Sequence, residues 1–358
     1  MLSDETSSRL NLLRFPLIVG VVFIHNYETT VDFQGSAAGI VQSSVMLDFV
    51  RNLISQGIAR TAVPLFFLMS GYLFFYGFDM TKAGYVAKLK SRSKTLLFPF
   101  IFWNIATLAI VAAAQAIPAA AVYFSGKHAL VAGFGIADYF SPIFGIGRLP
   151  ISYQFWFIRD LMMLVLLTPL IFVMCKKMSI PFLLTLFAMW LSQLWPLPVP
   201  SVEATLFFST GCWLAISKRD VFLFDGWGLP IAVTYTGFAI LDAAGSLENL
   251  LGNGIHKIAI LLGVITALCL TKVAVRSQYI AQQLLYLSST SFLVYAMHEP
   301  LLTICRKMIY RTLQPQTPAL VLGLYFAIPS LVIMFILLLR PILQTVFPRF
   351  VSAVSGGR

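Results

Sequence analysis

Charged side chains are scarce in this sequence of 358 residues. Asp, Glu, Lys and Arg together make up 11% of it, less than half of the roughly 25% that is typical of soluble globular proteins. Hydrophobic residues make up 59%, and the mean hydropathy is +0.86. These values exclude a cytosolic enzyme and a disordered chain. The composition predicts an all-α integral membrane protein, a polytopic bundle of transmembrane helices.

Cysteine spacing typical of metal sites or disulfide frameworks is also missing. The four cysteines lie inside apolar runs or at their ends, and none is close to another: Cys175, Cys212, Cys269 and Cys305. We interpret them as small hydrophobic residues and expect neither a metal site nor a disulfide. The net charge of +11 does not indicate nucleic-acid binding, because the basic residues occur in short connections between apolar runs.

Apolar runs bounded by charges or by Pro and Gly predict about ten membrane-spanning helices. They lie near residues 10–27, 57–78, 96–117, 154–175, 180–196, 202–217, 229–244, 257–275, 284–305 and 319–340. Little sequence remains outside these runs. We therefore expect one integral-membrane domain over residues 1–358, with no appended soluble domain.

The distribution of Lys and Arg predicts the orientation of the chain. If the N-terminus is inside, sixteen basic residues fall in cytoplasmic connections and seven in outer ones. The positive-inside rule then places both termini in the cytoplasm. Arg306, Lys307 and Arg311 form the one local exception, a basic cluster on the outer side.

Ionisable residues inside apolar runs are the first candidates for a functional site, because a charge at mid-bilayer costs roughly 3 kcal/mol. In the first predicted helix, Arg14 and His25 are eleven residues apart, so they share one face about 16 Å apart. The alternative is an Arg14 that reaches the headgroups and a His25 that merely packs.

Two other predicted helices carry polar residues at helical spacing. In the second, Arg60 precedes Pro64 and the pair Ser70-Gly71, and the alternative is a kinked packing helix. The ninth carries a polar stripe, which we expect to face the bundle interior: Ser288, Ser291, Tyr295 and His298. Glu299 could polarise an imidazole, but a solvated helix end is the favoured interpretation.

These residues resemble the bacterial acyltransferase family 3, multipass membrane proteins that O-acylate surface glycans. Arg14 and His25 match the family's pattern of Arg, ten residues, His. Residues 60–72, Arg60-Thr-Ala-Val-Pro-Leu-Phe-Phe-Leu-Met-Ser-Gly-Tyr72, are similar to its Arg…Val-Pro-x-Phe-Phe-x-x-Ser-Gly-Tyr helix. Phe155-Trp156-Phe157 resembles its Trp-Phe helix start, and Ser291-Phe-Leu-Val-Tyr-Ala-Met-His298 resembles its Ser-Phe…Tyr…His helix.

The sequence departs from the family pattern at several positions. Asn11 stands where members often have an acidic residue, and Leu17 replaces a common small residue. The Arg-x-x-Arg that precedes the family's third helix is absent as such. In its place is a basic strip, Lys88, Lys90, Arg92 and Lys94.

The resemblance implies transfer of an acyl group, which we expect to be acetyl, from cytoplasmic acetyl-CoA to a hydroxyl of a surface or lipid-linked glycan. It also implies a bacterial inner-membrane location, with no nucleic-acid partner and no metal. The polyanionic CoA would rest on the basic strip and Arg14, and His25 would act as general base. The candidate oxyanion or acceptor-orienting donors are Arg60, Ser70, Tyr295 and His298. A transporter or flippase is the alternative, since it too needs broken helices and midplane polar groups.

Overall fold

The computed structural model describes residues 4–40, 44–78, 80–124, 129–245 and 250–357. Two basic residues counted for the orientation, Lys127 and Arg358, lie outside these ranges.

The chain is helical, as predicted, and its one hairpin within the described ranges pairs β1 (Thr30–Phe33) with β2 (Ser36–Gly39). The α-helices are α1 Asp4–His25, α2 Val45–Arg51, α3 Ala62–Phe75, α4 Lys82–Arg92, α5 Phe98–Ala116, α6 Phe140–Phe144, α7 Trp156–Leu166, α8 Thr168–Lys177, α9 Ser179–Ser192, α10 Val202–Ile216, α11 Gly228–Ala243, α12 Leu250–Ala274, α13 Gln278–Ser288, α14 Ser291–Leu313, α15 Pro318–Val346 and α16 Pro348–Val354.

Five helical stretches in the described ranges are long and apolar enough to cross a membrane. They are Glu5–His25, Val45–Phe75, Lys82–Ala116, Asn253–Ala274 and Pro318–Val346. A sixth is possible if the pair Tyr153–Leu166 and Thr168–Lys177, bent by 65°, is one broken span. The chain is therefore a polytopic helical membrane protein. The count of about ten spans and the orientation stay predictions.

Two predicted helices are interrupted. The helix expected over residues 154–175 bends at Leu167, just before Pro169, because proline removes a backbone donor and clashes with the preceding turn. The helix expected over residues 284–305 ends at Ser288 and restarts at Ser291. The predicted polar stripe is therefore divided, with Ser288 on α13 and the other three residues on α14.

Contacts divide the chain into two compact units. The first comprises Met1–Ile24, Phe49–Arg92 and Asp160–Ser291, and the second comprises His25–Asp48, Ser93–Arg159 and Phe292–Arg358. The expectation of one domain over residues 1–358 stays a prediction.

Close helix packing organises the first unit. Helices α3 and α10 touch backbone to backbone at Gly71 and Gly211. A Cβ on Gly71 would clash with the carbonyl oxygen of Phe208, and one on Gly211 would clash with that of Leu68. Small residues are what allow membrane helices to approach this closely. Helix packing therefore accounts for Gly71 of the Ser-Gly pair that stood out in the sequence.

The second unit is held together by polar contacts between its connections and helices. The backbone N–H of Ser152 donates to Oδ1 of Asn104 at 3.1 Å, and the Ser152 hydroxyl lies 2.6 Å from that of Thr107. All three residues are buried. These contacts attach the end of the 118–153 connection to α5, and so fix the segment at the start of α7.

Candidate active site

Two histidines from distant parts of the chain meet in the second unit. His25 is the last residue of α1, and His298 lies in the first half of α14. Their rings stack with centroids 5.2 Å apart and planes inclined by 29°. The ring of Tyr153, just before α7, packs edge-on against His25 at 4.8 Å. The sequence indicated both histidines as candidates, and the structure brings them together.

The surroundings of His298 fix which of its nitrogens can accept a proton. The residue is fully buried, and its Nδ1 lies 2.8 Å from the carbonyl oxygen of Tyr295 and 3.2 Å from that of Val294. A carbonyl oxygen only accepts, so Nδ1 carries the hydrogen. In the neutral ring Nε2 then has a lone pair, and it has no hydrogen-bond partner among the described residues. His298 thus offers a buried acceptor beside His25.

Glu299 is buried, so the interpretation of a solvated helix end is wrong. Its exposed fraction is 5%, and its Oε1 accepts a hydrogen bond from the hydroxyl of Tyr153 at 2.9 Å. Thr303 also hydrogen-bonds to the carboxylate, and Arg306 interacts with it electrostatically. Helix α14 kinks at Glu299, which has extended backbone angles because Pro300 follows it. The kink belongs to the same turn that carries both His298 and the carboxylate.

Gln154 and Tyr295 form a buried clamp beneath the histidine pair. The Tyr295 hydroxyl donates to the carbonyl oxygen of Gln154 at 2.8 Å. Nε2 of Gln154 lies 3.3 Å from the carbonyl oxygen of Ala296 and 3.2 Å from that of Glu299. These bonds tie the start of α7 to the kinked turn of α14. The proton of Tyr295 is already donated in this conformation, so the hydroxyl holds backbone in place.

Sequence reasoning missed Tyr153 and Gln154. They stand immediately before Phe155-Trp156-Phe157, which was interpreted as an interfacial aromatic start of a helix. The available signal was a pair of hydrogen-bonding side chains at the edge of an apolar run. That signal is weak, because polar side chains at the edge of an apolar run are usually exposed to water and need no functional explanation.

Similarity to known proteins shows the family of the chain. The family described as an acyltransferase domain, Acyl_transf_3, matches residues 7–339. The chain belongs to this acyltransferase family. The succinoglycan biosynthesis protein ExoH of Rhizobium meliloti (strain 1021) is 25% identical over 371 residues, covering 99% of this chain and 93% of that protein. No solved structure matches the chain significantly.

The other residues that resembled the family's site lie in the first unit. Arg14 is half-buried on α1, and in the described part of the chain it makes no hydrogen bond or ion pair. Arg60 is exposed, and its Nε donates to Oε1 of Gln56 at 2.7 Å. Ser70 is half-buried, next to the close contact of α3 with α10. Their roles in an acyltransferase site stay predictions.

The basic strip begins on α4, which carries Lys88, Lys90 and Arg92, and ends at Lys94 in the π-helical segment that follows. Residues two positions apart are rotated by about 200° on an α-helix, so alternation divides the four cations into pairs. Lys88 and Arg92 are half-buried, whereas Lys90 and Lys94 are exposed. Nζ of Lys88 donates to the carbonyl oxygen of Phe74 and lies 4.1 Å from the centre of the Phe78 ring. Arg92 makes no hydrogen bond or ion pair within the described ranges, so its guanidinium can still bind a ligand.

Neither arrangement is built around a metal. Within the described residues, no group of three or more His, Cys, Asp or Glu side chains is placed to hold a metal ion. The four cysteines have free thiols, and three of them are buried.

Proposed function

We propose that this membrane acyltransferase moves an acetyl group from cytoplasmic acetyl-CoA to a hydroxyl of a cell-surface or lipid-linked glycan, in the bacterial inner membrane. Membership of the acyltransferase family supports the reaction class. The name of the R. meliloti relative refers to succinoglycan biosynthesis, and that relative aligns along nearly the whole chain. This supports a polysaccharide, or its lipid-linked precursor, as the acceptor.

The stacked pair of His25 and His298 is the observation that carries the proposal. Acyl transfer to a hydroxyl needs a base near neutral pH, and imidazole is the side chain whose ordinary pKa suits that task. Two imidazoles with centroids 5.2 Å apart, one of them with an unpartnered Nε2, can bind hydroxyl groups of one acceptor at their edges. Filling space does not explain either ring, because aliphatic side chains would fill a membrane-protein core at lower cost.

His25 acts as the general base in this mechanism. It takes the proton of the acceptor hydroxyl as that oxygen attacks the thioester carbonyl. A tetrahedral intermediate with a negatively charged oxygen forms, and it collapses when its bond to sulfur breaks. The proton on His25 then passes to the departing CoA thiolate. Direct transfer in a ternary complex needs no acyl-enzyme and leaves His25 neutral for the next cycle.

His298 and the residues around Tyr153 orient the acceptor. Neutral His298 accepts through Nε2, so it can bind the hydrogen of a neighbouring acceptor hydroxyl while the reacting hydroxyl donates its own hydrogen to His25. The Tyr153 hydroxyl, which donates to Glu299, can accept a hydrogen bond from a second sugar hydroxyl. Arg60 and Ser70 stay candidate donors to the oxyanion, each worth about 10²–10³-fold in rate if it has that role.

Arg14 and the cations of the basic strip suit the donor. CoA carries several phosphates, and guanidinium groups bind phosphate through paired charge-assisted hydrogen bonds. Arg14 and Arg92 are half-buried and make no hydrogen bond or ion pair in the described part of the chain. We propose that both bind CoA phosphates, that exposed Lys90 and Lys94 add to the attraction, and that Lys88 contributes its charge from the inner face.

The experiment compares cells that make the wild type, His25→Ala or His256→Ala at matched membrane levels. Mass spectrometry of lipid-linked and surface glycans measures the acetyl-sized mass increment. We expect His25→Ala to lower acylation by about 10²–10⁴-fold, because it removes the base. His256 is the matched control, since it pairs with Asp242 at 2.8 Å in the first unit and should leave acylation intact.

Thiol release from acetyl-CoA by the purified protein, with a glycan extract added, identifies the donor. Release that depends on both the extract and His25 would support the proposed reaction. Full acylation by His25→Ala would remove the base assignment. An increment of a different mass would replace acetyl by another acyl group, and an unchanged set of glycans in all cells would refute the glycan acceptor.

A further inference from the structure

The second half of α14 carries cations that the acyl-transfer chemistry leaves unexplained. Arg306, Lys307 and Arg311 stood out in the sequence as a basic cluster on the predicted outer side. Arg311 is exposed, and its guanidinium lies 5.9 Å from the centre of the Phe33 ring and 5.5 Å from that of Tyr123. Stacking on two rings gives Arg311 a structural explanation. Arg306 has none of this kind.

Arg306 has buried donors without acceptors. Its Nε and Nη1 atoms are inaccessible to solvent and have no hydrogen-bond partner among the described residues. A buried donor left unpaired is costly, and more so on a charged group. Such a group is expected where a ligand supplies the missing acceptor.

The neighbouring side chains do not satisfy Arg306. Glu299 interacts with it electrostatically, but the described residues show no salt bridge between them, and the carboxylate is bound by Tyr153 and Thr303. Lys307 lies next to it, with Nζ donating to the carbonyl oxygen of Tyr123 and with Asp32 interacting at longer range. The position thus has two adjacent cations, Arg306 and Lys307, and the guanidinium of Arg306 can still donate hydrogen bonds.

We propose that Arg306, assisted by Lys307, binds an oxyanion of the acceptor, either a phosphate or a sugar carboxylate. This rests on the proposed function, because it specifies the acceptor of the same reaction as an anionic glycan. A guanidinium with unpaired N–H groups matches phosphate and carboxylate oxygens in geometry and charge. A phosphate would come from a lipid-linked sugar, and a carboxylate from an acidic sugar residue.

The location suits an anchor for the substrate of the histidine pair. Arg306 interacts electrostatically with both Tyr153 and Glu299. Tyr153 in turn packs against His25, and Glu299 follows His298 in the chain. An acceptor held by its anionic group at Arg306 therefore has the hydrogen-bonding groups of Tyr153 and the two imidazoles as its next neighbours.

Anion binding is measured first, by isothermal titration calorimetry of the full chain in phosphatidylcholine nanodiscs, which carry no net lipid charge. The probes are inorganic pyrophosphate and glucuronate, in metal-free buffer. We expect Arg306→Gln to weaken binding of the preferred probe about 10- to 100-fold, the effect of losing a charged hydrogen-bonded contact. Arg306→Lys keeps the charge without the planar fork and should give an intermediate loss. Arg311→Gln removes the same charge from the same helix and should bind as the wild type does.

The preferred probe identifies the source of the oxyanion. Pyrophosphate binding that depends on Arg306 indicates a lipid-linked sugar phosphate, and glucuronate binding that depends on Arg306 indicates an acidic sugar. If the wild type binds neither probe, or if Arg306→Gln binds as tightly as the wild type, the proposal is overturned. Arg306→Lys serves the same comparison if Arg306→Gln fails to reach the membrane.

Acylation in cells separates this proposal from the proposed function. We expect Arg306→Gln to lower glycan acylation at least about tenfold, while Arg311→Gln matches the wild type. Wild-type acylation by Arg306→Gln, together with loss in His25→Ala, would refute the anchor and leave the acyltransferase proposal intact. Unchanged acylation in His25→Ala as well would refute the proposed base, whereas the calorimetric result concerns the anion site alone.

Discussion

Two buried clusters in this protein each place an arginine near a carboxylate, and they differ in what remains unpaired. In the first unit, Nε of Arg9 donates to Thr271 at 2.8 Å, and its two Nη atoms donate to Asp225 at 2.7 and 2.8 Å. Its guanidinium also lies 3.5 Å above the ring of Phe222. In the second unit, Arg306 has two nitrogen atoms without partners, and Nε2 of His298 also lacks one, within the described residues.

The difference distinguishes buried polar groups that stabilise the fold from buried polar groups that can bind a ligand. A buried polar group whose hydrogen bonds are all made stabilises one arrangement of the chain. A group that keeps an unmade bond lowers stability, and is retained where a substrate completes it. By this criterion the Arg9 cluster is structural, and Arg9 is also one of the sixteen basic residues that the orientation prediction counts as cytoplasmic. The cluster around His298 is the one that we propose as the site.

Breaking the complete cluster should have the largest effect on stability. Asp225→Asn leaves the charge of Arg9 buried and unpaired, so we expect the free energy of unfolding to fall by about 3 kcal/mol. The measurement is the thermal unfolding midpoint of the purified protein in detergent. Acylation per folded molecule should stay at the wild-type level, because the cluster does no chemistry.

Glu5→Gln is the matched control for this prediction. Glu5 is also an acidic partner of Arg9, at 3.9 Å, but its side chain is 76% exposed. An exposed pair contributes little, so we expect a change in stability below about 1 kcal/mol. If Asp225→Asn were as stable as the wild type, the ion pair of Arg9 with Asp225 would not stabilise the fold.

Removing Nε2 of His298 should have the opposite effect to Asp225→Asn: we expect it to lower acylation and to leave stability nearly unchanged. In His298→Asn, the amide N–H can still donate to the Tyr295 carbonyl as Nδ1 does, while Nε2 is lost. We expect acylation to fall about 10²-fold, equivalent to about 2.7 kcal/mol in the barrier, with little change in the unfolding midpoint. Glycan mass spectrometry and thermal unfolding on the same preparations measure both. Acylation at the wild-type level by His298→Asn would contradict a role for Nε2. Loss of folding would show that His298 stabilises the fold.

Much of the fold follows from the sequence because lipid leaves few choices. Apolar runs must satisfy their own backbone hydrogen bonds, so hydropathy alone predicts helices near the right places. It does not detect the bend at Leu167, since that bend lies within an apolar stretch, nor the break after Ser288, since the Ser-Ser-Thr-Ser sequence of residues 288–291 is too short to interrupt a hydropathy run. The two faces of the basic strip, by contrast, follow from helix geometry alone: a step of two residues turns Lys90 away from Lys88.

The sequence predicts those site residues whose polar side chain is energetically costly inside an apolar run. His25 and His298 stand out because an imidazole inside an apolar run needs a reason. Glu299 did not, because its burial depends on Tyr153, which is 146 positions away in the sequence. Tyr153 and Gln154 lie before a helix, where polar side chains are ordinary. Their importance comes from long-range contacts that no local pattern records.

The smallest effect should come from Tyr153→Phe, which keeps the ring against His25 and removes only the hydroxyl. Glu299 then loses one hydrogen-bond donor, and the acceptor loses a group that could orient it. We expect acylation to fall about tenfold, equivalent to about 1.4 kcal/mol. Tyr85→Phe is the matched control, because the Tyr85 hydroxyl also donates one bond, to the carbonyl oxygen of Leu166 at 2.9 Å. If both variants lost the same stability and neither lost acylation, the Tyr153 bond would be structural, and the unpaired cluster would shrink to the histidines and Arg306.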